Sequence, residues 1–379
     1  MTDRPQGPLS DVLVVDLTHA LSGPYCTLLM AELGARVIKI ERAPIGDTGR
    51  NFAPFVDGKP VFFQLMNRGK ESIAVDIESS DDRPVLEEMF RRADVVVENF
   101  RPGTLERHGF GYDALCALNP RLVLASITGY GQTGPEHTEG AYDTVIQGAA
   151  GIMAINGLPG TGPLRVGCCV ADYVSGIYTF GAITTALFDR ERSGRGTHID
   201  LGMHDAVLSI LDPVITYLGT GDEPEKGGNS SSLAAPFDVF DVADGSITIC
   251  AADDASFTSL CKVLGHEQLV GDPRYGSPVD RVQAYDTLRP VLADALARHT
   301  VDELFDLLQH AGVACGRINS VGQAIEDAQS HARNMIVDAA GLHLVGNPIK
   351  MSTAEDPPTR SPAPDLDADG PALRTEFAP

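Results

Sequence analysis

Val12-Leu13-Val14-Val15-Asp16, then Pro24-Tyr25-Cys26-Thr27-Leu28-Leu29-Met30-Ala31-Glu32-Leu33, then Val37-Ile38-Lys39-Ile40: these three stretches decide the fold. The first is a short apolar run of the kind a buried strand needs. The second sets Leu28, Leu29 and Leu33 on one side of a helix, with Gly34 where a terminating glycine belongs. The third is another short apolar strand. Together they read as a βαβ unit, whose crossover is right-handed. The alternation continues with a strand at 72–76, a helix at 82–93 and strands at 94–97 and 122–127. Strands separated by helices predict a mainly parallel sheet covered on both faces, with ligands beyond the carboxyl ends of its strands.

Farther on, residues 131–163 are rich in glycine and polar residues and read as a long loop region holding a helix. A helix is expected over 172–190, a short strand over 198–201 and a further helix from Met203 to about Leu218. The texture changes at Gly219-Thr220-Gly221-Asp222-Glu223-Pro224-Glu225, a linker. A hairpin follows, with strands at 238–242 and 246–251 joined through Ala243-Asp244-Gly245. Helices at 257–264, 282–298 and 301–311 complete a smaller α+β domain. The tail from Asp356, rich in Pro, Asp and Ala, is expected to be extended or disordered.

Composition narrows the function. With 379 residues, two domains are the default, and 43% hydrophobic with 21% charged residues is an ordinary soluble balance. A formal net charge of −23 repels nucleic acid and anionic lipid, so neither is an expected partner. No apolar run is long enough to span a membrane, and the polar start lacks a signal-peptide pattern. The seven cysteines are scattered without metal-ligand spacing, which argues against a disulfide framework or a zinc site. A reducing cytoplasm fits best.

Several residues invite chemistry. Glu41 follows the second strand, where a dinucleotide fold places a ribose-binding acid. The preceding turn, however, reads Ser22-Gly23-Pro24-Tyr25-Cys26 and lacks the G-x-G-x-x-G that lets a pyrophosphate approach. Asp172 precedes small residues Ser175, Gly176 and Gly181 at a helix start, where the macrodipole favours an ionised carboxylate. A plain N-cap aspartate is the bland alternative. Arg42, Arg101 and Arg107 fall at one edge of the sheet and could gather a phosphate, or be ordinary loop arginines paired locally. His19, His108 and His204 read as structural histidines, and Cys168-Cys169 as inert buried thiols.

At this point the motifs resemble the class III CoA-transferases, the superfamily of formyl-CoA transferase, carnitine CoA-transferase and methylacyl-CoA racemase. The stretches that carry the likeness are Ser22-Gly23-Pro24, Gly34-Ala35-Arg36-Val37-Ile38-Lys39-Ile40-Glu41, Val97-Glu98-Asn99-Phe100-Arg101-Pro102-Gly103, Asn119-Pro120-Arg121-Leu122, Gly129-Tyr130-Gly131 and Ala171-Asp172. Arg192-Ser193-Gly194-Arg195-Gly196, Ala314-Cys315-Gly316 and Pro348-Ile349-Lys350-Met351 extend it, so that it runs from about Leu9 to about Ser352. The resemblance implies a Rossmann-like large domain over 1–218, completed by 333–379, and a linker with a small α+β domain over 219–332. It also implies an interlocked homodimer, and acyl-CoA with a small carboxylic acid as substrates, with no tightly bound cofactor and no metal. Asp172 falls on the family's nucleophile. CoA contacts carry over to Arg42 (adenine or phosphate side), Val75, Asn99, Phe100, Arg101, Arg107, Tyr142 and Asp143, and a substrate loop to Gly227, Gly228 and Asn229. Two departures matter: the glycine run of formyl-CoA transferase is absent at Gly227-Gly228-Asn229-Ser230, and Leu21 stands where that enzyme has glutamine. Both weaken an oxalate and formyl-CoA substrate pair.

The racemases of the same superfamily use a histidine and an aspartate as two bases. Their Gly-His-Asp step reads Ala141-Tyr142-Asp143 here, so the histidine is missing. A non-catalytic CoA-binding protein is the alternative of another class, and the retained Asp172 weighs against it.

Overall fold

The computed structural model describes residues 5–379. Internal contacts divide the chain into two units. The first contains the chain up to Ile152, with Arg165–Asp212 and Ile325–Pro379; the second contains Met153–Leu164 and Pro213–Ala324.

In the first unit, β1 (Leu13–Asp16), α1 (Ser22–Glu32), β2 (Arg36–Arg42), β3 (Glu71–Val75), α2 (Arg83–Arg92), β4 (Val95–Glu98), β5 (Val123–Thr128), α3 (Asp143–Ala149), α4 (Val170–Ser193) and β6 (His198–Gly202) follow in chain order. The six strands form one parallel sheet in the order β3-β2-β1-β4-β5-β6. The order reverses between β1 and β4, which opens a crevice at the carboxyl ends of those two strands.

The strands read as continuous apolar runs because both faces are covered. Successive side chains alternate in direction. Val95 and Val97 therefore pack with Met30 of α1 and Ile183 and Leu187 of α4. Val96, between them, packs on the other face with Leu86, Met89 and Phe90 of α2. Each such fully buried side chain contributes about 1.5–3 kcal/mol. Gly34 follows α1 at φ 101, a conformation that favours glycine, and turns the chain into β2.

Several expectations are corrected. The helix expected from Met203 to about Leu218 is two pieces, Met203–Leu208 and Val214–Thr220. Pro213 intervenes and disfavours helical backbone at Asp212. Residues 131–163 hold two short helices, α3 and Ile152–Ile155, rather than one. The tail is ordered: it ends in a helix, Gly370–Glu376, and Leu373 and Phe377 are buried in the α2-side core. Asp367 and Asp369 accept the backbone N–H groups of Ala74 and Ser72 along the edge of β3. Composition alone suggested disorder, but two apolar anchors and edge-capping carboxylates suffice to dock the segment.

In the second unit, β7 (Phe237–Val242) and β8 (Gly245–Cys250) form the expected hairpin, and β9 (Ala314–Arg317) joins β8 antiparallel. Helices α5 (Asp254–Val263), α6 (Tyr285–Leu296) and α7 (Val301–His310) supply Phe257, Leu292 and Leu304 to its core. The helix expected at 282–298 begins as a separate piece, Pro278–Gln283, before α6. None of the seven cysteines is paired, and no helix among the described residues is long and apolar enough to cross a membrane.

Candidate active site

The crevice is built first by the turn after β1. Asn99, just beyond β4, grips it at two points: its Nδ2 donates to His19 O at 2.9 Å and its Oδ1 accepts from His19 N at 2.9 Å. Lys39 Nζ donates to Thr18 O at 2.7 Å, and Ala20 N donates to Asp47 Oδ1 at 3.2 Å. Ala20 sits at φ 63, a costly conformation for a residue with a Cβ, and these bonds from Lys39 in β2, Asp47 beyond it and Asn99 beyond β4 hold it there.

Helix α4 brings in the candidate nucleophile. It starts at Val170, so Asp172 is the third helical residue; the N-cap is Cys169, and Asp172 is not a capping aspartate. Gly176, one turn on, permits close approach to α1: a Cβ there would lie 2.7 Å from Ser22 O. The Ser22 hydroxyl of α1 is the polar group beside Asp172 that favours its ionised form. Asp143, the first residue of α3, comes from the other side. Asp143, Cys169 and Asp172 each place one oxygen or sulfur within 4.8 Å of the others, the one cluster among the described residues with the proximity a metal ion needs. Both Asp143 oxygens already accept hydrogen bonds, from Ala171 N at 2.8 Å and Gln147 Nε2 at 2.7 Å.

This setting overturns one expectation. The helix dipole was expected to keep Asp172 ionised, yet its pKa is pushed up to about 7. Burial is the larger cause and the Asp143 charge the second, with Ser22 opposing both. The vicinal cysteines also differ from expectation: Cys168 is exposed and Cys169 half-buried. The Cys169 thiol is pushed up by burial and by Asp143 and Asp172, which suppresses thiolate chemistry.

The cleft has two adjoining compartments, both at the carboxyl edge of the sheet. One, of about 380 Å³, is lined by Asp172, Asn99, Phe100, Arg101, Arg107 and Tyr142. The other, of about 590 Å³, includes Arg42, Val75 and Phe100. His19, Phe100 and Thr104 wall both, and the His19 ring stacks on Phe100 with centroids 6.2 Å apart. Volumes of this size suit a small-molecule site. Arg42, Arg101 and Arg107 form no ion pair among the described residues, while buried arginines such as Arg68 and Arg360 are paired. Three unpaired cations along one cleft stand out in a chain of charge −23.

The structure thus brings Asp172, Asn99, Phe100, Arg101, Arg107 and Tyr142 together, and Arg42 and Val75 next to them. Asp143 does not line the cleft: it is 6% exposed, with its carboxylate engaged behind Asp172. Gly227, Gly228 and Asn229 lie in the second unit, in a turn closed by Ser230 N donating to Gly227 O at 3.1 Å. Sequence reading missed His19 as a cleft wall and Ser22 and Gln147 as partners. Ser22 stood inside a quoted motif, whereas Gln147 carried no signal beyond lying one helical turn after Asp143.

Similarity to known proteins extends over nearly the whole chain. The pattern of "CoA-transferase family III" matches residues 9–370. An acetyl-CoA:oxalate CoA-transferase of Acetobacter aceti is 42% identical, over 99% of this chain and 97% of its own. A succinyl-CoA:mesaconate CoA-transferase of Haloarcula hispanica is 36% identical, over 94% of this chain and 93% of its own. The crystal structure of a CAIB/BAIF family protein from Brucella suis superposes with a TM-score of 0.86 at 36% identity, covering 98% of this chain and 100% of that one. The chain belongs to CoA-transferase family III and is an acyl-CoA CoA-transferase.

Proposed function

We propose that the enzyme moves CoA from an acyl-CoA thioester to a small dicarboxylic acid through covalent intermediates on Asp172. The observation that carries this reading is the half-buried Asp172 carboxylate, facing a cleft whose rim holds Arg42, Arg101 and Arg107 without carboxylate partners. A carboxylate withdrawn from water is a stronger nucleophile, and unpaired arginines suit the phosphates of CoA.

The steps balance without redox or net proton change. An Asp172 oxygen attacks the thioester carbonyl, the C–S bond breaks, and CoA leaves as thiolate. The thiolate attacks the aspartyl carbonyl of the resulting anhydride, expelling the donor acid and leaving an aspartyl-CoA thioester. The acceptor carboxylate attacks that thioester, releasing thiolate again. The thiolate then attacks the acceptor's carbonyl, forming the new acyl-CoA and freeing Asp172. Asn99, Phe100 and Tyr142 would flank the pantetheine arm and Val75 the adenine side, with Gly227, Gly228 and Asn229 as the candidate substrate loop. No tightly bound cofactor takes part.

The dicarboxylate assignment is drawn from the oxalate and mesaconate enzymes. Leu21, 6% exposed at the cleft wall, offers no polar side-chain contact to the acid. The interlocked homodimer is also part of this reading: α4 leaves Ile177, Tyr178 and Phe188 exposed, an apolar face suited to a second copy. Seven unpaired thiols suit the cytoplasm.

One assay tests the reaction. The enzyme receives acetyl-CoA or succinyl-CoA, a 2-methylacyl-CoA and a panel of mono- and dicarboxylic acids in deuterated water. New dicarboxyl-CoA thioesters, and a CoA adduct on the Asp172 peptide by mass spectrometry, are expected. Deuterium entering the methylacyl-CoA with no new thioester would replace the transfer reading by racemisation.

A further inference from the structure

We propose that Asp143 and Gln147 are a positioning pair that aims the Asp172 carboxylate into the cleft and keeps a fixed negative charge beside it. The inference rests on Asp172 being the nucleophile, and it assigns Asp143 a role other than touching CoA.

Asp143 and Gln147 are one turn apart on α3, 6% and 0% exposed. Gln147 Oε1 accepts from Val166 N at 2.8 Å, and its Nε2 donates to Cys168 O at 3.2 Å as well as to Asp143 Oδ2 at 2.7 Å. Asp143 Oδ1 accepts from Ala171 N at 2.8 Å. Two side chains thus fix three backbone groups of the segment that enters α4, the last of them in the residue just before Asp172. The first turn of α4 has no side-chain cap of its own, since Cys169 supplies none. Asp143 provides from another helix what an N-cap residue would have provided locally.

The charge has a second consequence. Asp172 is faced by Asp143 from α3, by Cys169 at the N-cap and Tyr173 in the first turn of its own helix and by the Ser22 hydroxyl from α1, with no lysine or arginine among the causes that set its titration. Repulsion by Asp143 raises the energy of the Asp172 anion. Once acylated, Asp172 is neutral and the repulsion ends. The pair therefore disfavours the resting nucleophile relative to its covalent intermediates, which lowers the barrier to acylation. The Ser22 hydroxyl opposes this and favours the ionised form.

Two variants separate aim from charge, both in the full-length enzyme with fold and oligomeric state checked by thermal melting and light scattering. Asp143→Asn removes the charge together with one of the two accepted hydrogen bonds, and the pH profile reads the charge: the acid limb of kcat/KM, expected near pH 7, moves to lower pH, and kcat at pH 8 falls on the order of 10-fold, with Asp143→Glu restoring the limb. Gln147→Leu keeps the charge but releases the segment: the limb stays, KM for acyl-CoA stays, and kcat falls on the order of 10- to 100-fold. Where Gln147→Leu does not fold, Gln147→Met serves the same test. An unmoved limb in Asp143→Asn, or an unchanged kcat in the Gln147 variant, overturns the proposal. Full turnover by Asp172→Ala removes the nucleophile reading itself instead.

Discussion

Asp16 and Asp172 are both withdrawn from water at the carboxyl edge of the same sheet, and their surroundings treat them in opposite ways. Asp16 is 0% exposed at the end of β1. Lys70 reaches it at 2.9 Å, Thr27 at 2.7 Å and Thr18 at 2.5 Å. Burial alone would raise its pKa, but Lys39 and Lys70 with the Thr18 and Thr27 hydroxyls together outweigh burial and hold the carboxyl far below the usual range. Asp172 meets no cation, only Ser22 and a second carboxylate. A compensated buried charge is architecture: it ties the loop after β1 to β2 and to the segment following Asn67. An uncompensated one is a liability for the fold and a resource for chemistry.

The sharpest way to break this contrast is to delete each carboxyl in turn. Asp172→Ala should cut turnover by at least about 10³-fold while leaving the protein folded, as removal of a covalent nucleophile does. Turnover of new CoA thioesters is the measurement. Asp16→Asn should leave the buried Lys70 without its paired anion, while Lys39 keeps Asp47 at 2.8 Å, and destabilise the protein by about 3–5 kcal/mol in denaturant unfolding. If the two variants exchanged these phenotypes, the division of labour would be wrong.

A smaller effect sharpens the comparison through pH. The folded-state pKa of Asp172 is raised from 3.8 to about 7, so between those values the folded protein binds more protons at this site than the unfolded chain. Stability therefore falls as pH rises through that window, and the cost is fully present above it. Asp172→Asn removes the titrating group. It should melt higher than the parent at pH 8, by about 1–2 kcal/mol of stability, and the gain should vanish toward pH 4. Asp16 predicts the reverse sign: its depressed pKa adds stability at neutral pH that is lost on acidification.

The smallest effects lie at the rim. Arg42→Ala and Arg107→Ala should each raise KM for acyl-CoA by about 10-fold, with kcat little changed, and the penalty should shrink at high salt because these side chains face water. Unchanged KM in both would move the CoA phosphates elsewhere.

How legible this protein was from its sequence follows the range of the forces involved. The strands and helices of the sheet were readable because apolar periodicity is local: Val95, Val96 and Val97 announce a strand covered on both faces without reference to any distant residue. Asp172, Asn99 and the arginines were readable only as motif positions. Nothing local separates Asp172 from a capping aspartate, and the dipole argument even predicted the wrong direction of its titration, because burial and Asp143 dominate and both come from other helices. The tail misled for the same reason: Leu373 and Phe377 are too few to form a core, yet enough to complete one supplied by α2.

The sequence by itself determined the alternation of elements, the parallel sheet and the motifs that place the chain in its family. The tertiary structure alone decided which carboxylate is neutralised and which is left exposed to another, because solvation and charge pairing depend on what the fold brings near, not on what stands adjacent in the chain. Lys70 reaches Asp16 from a distant segment, and Asp143 reaches the start of α4 from a separate helix. Those two approaches separate a structural acid from a chemical one.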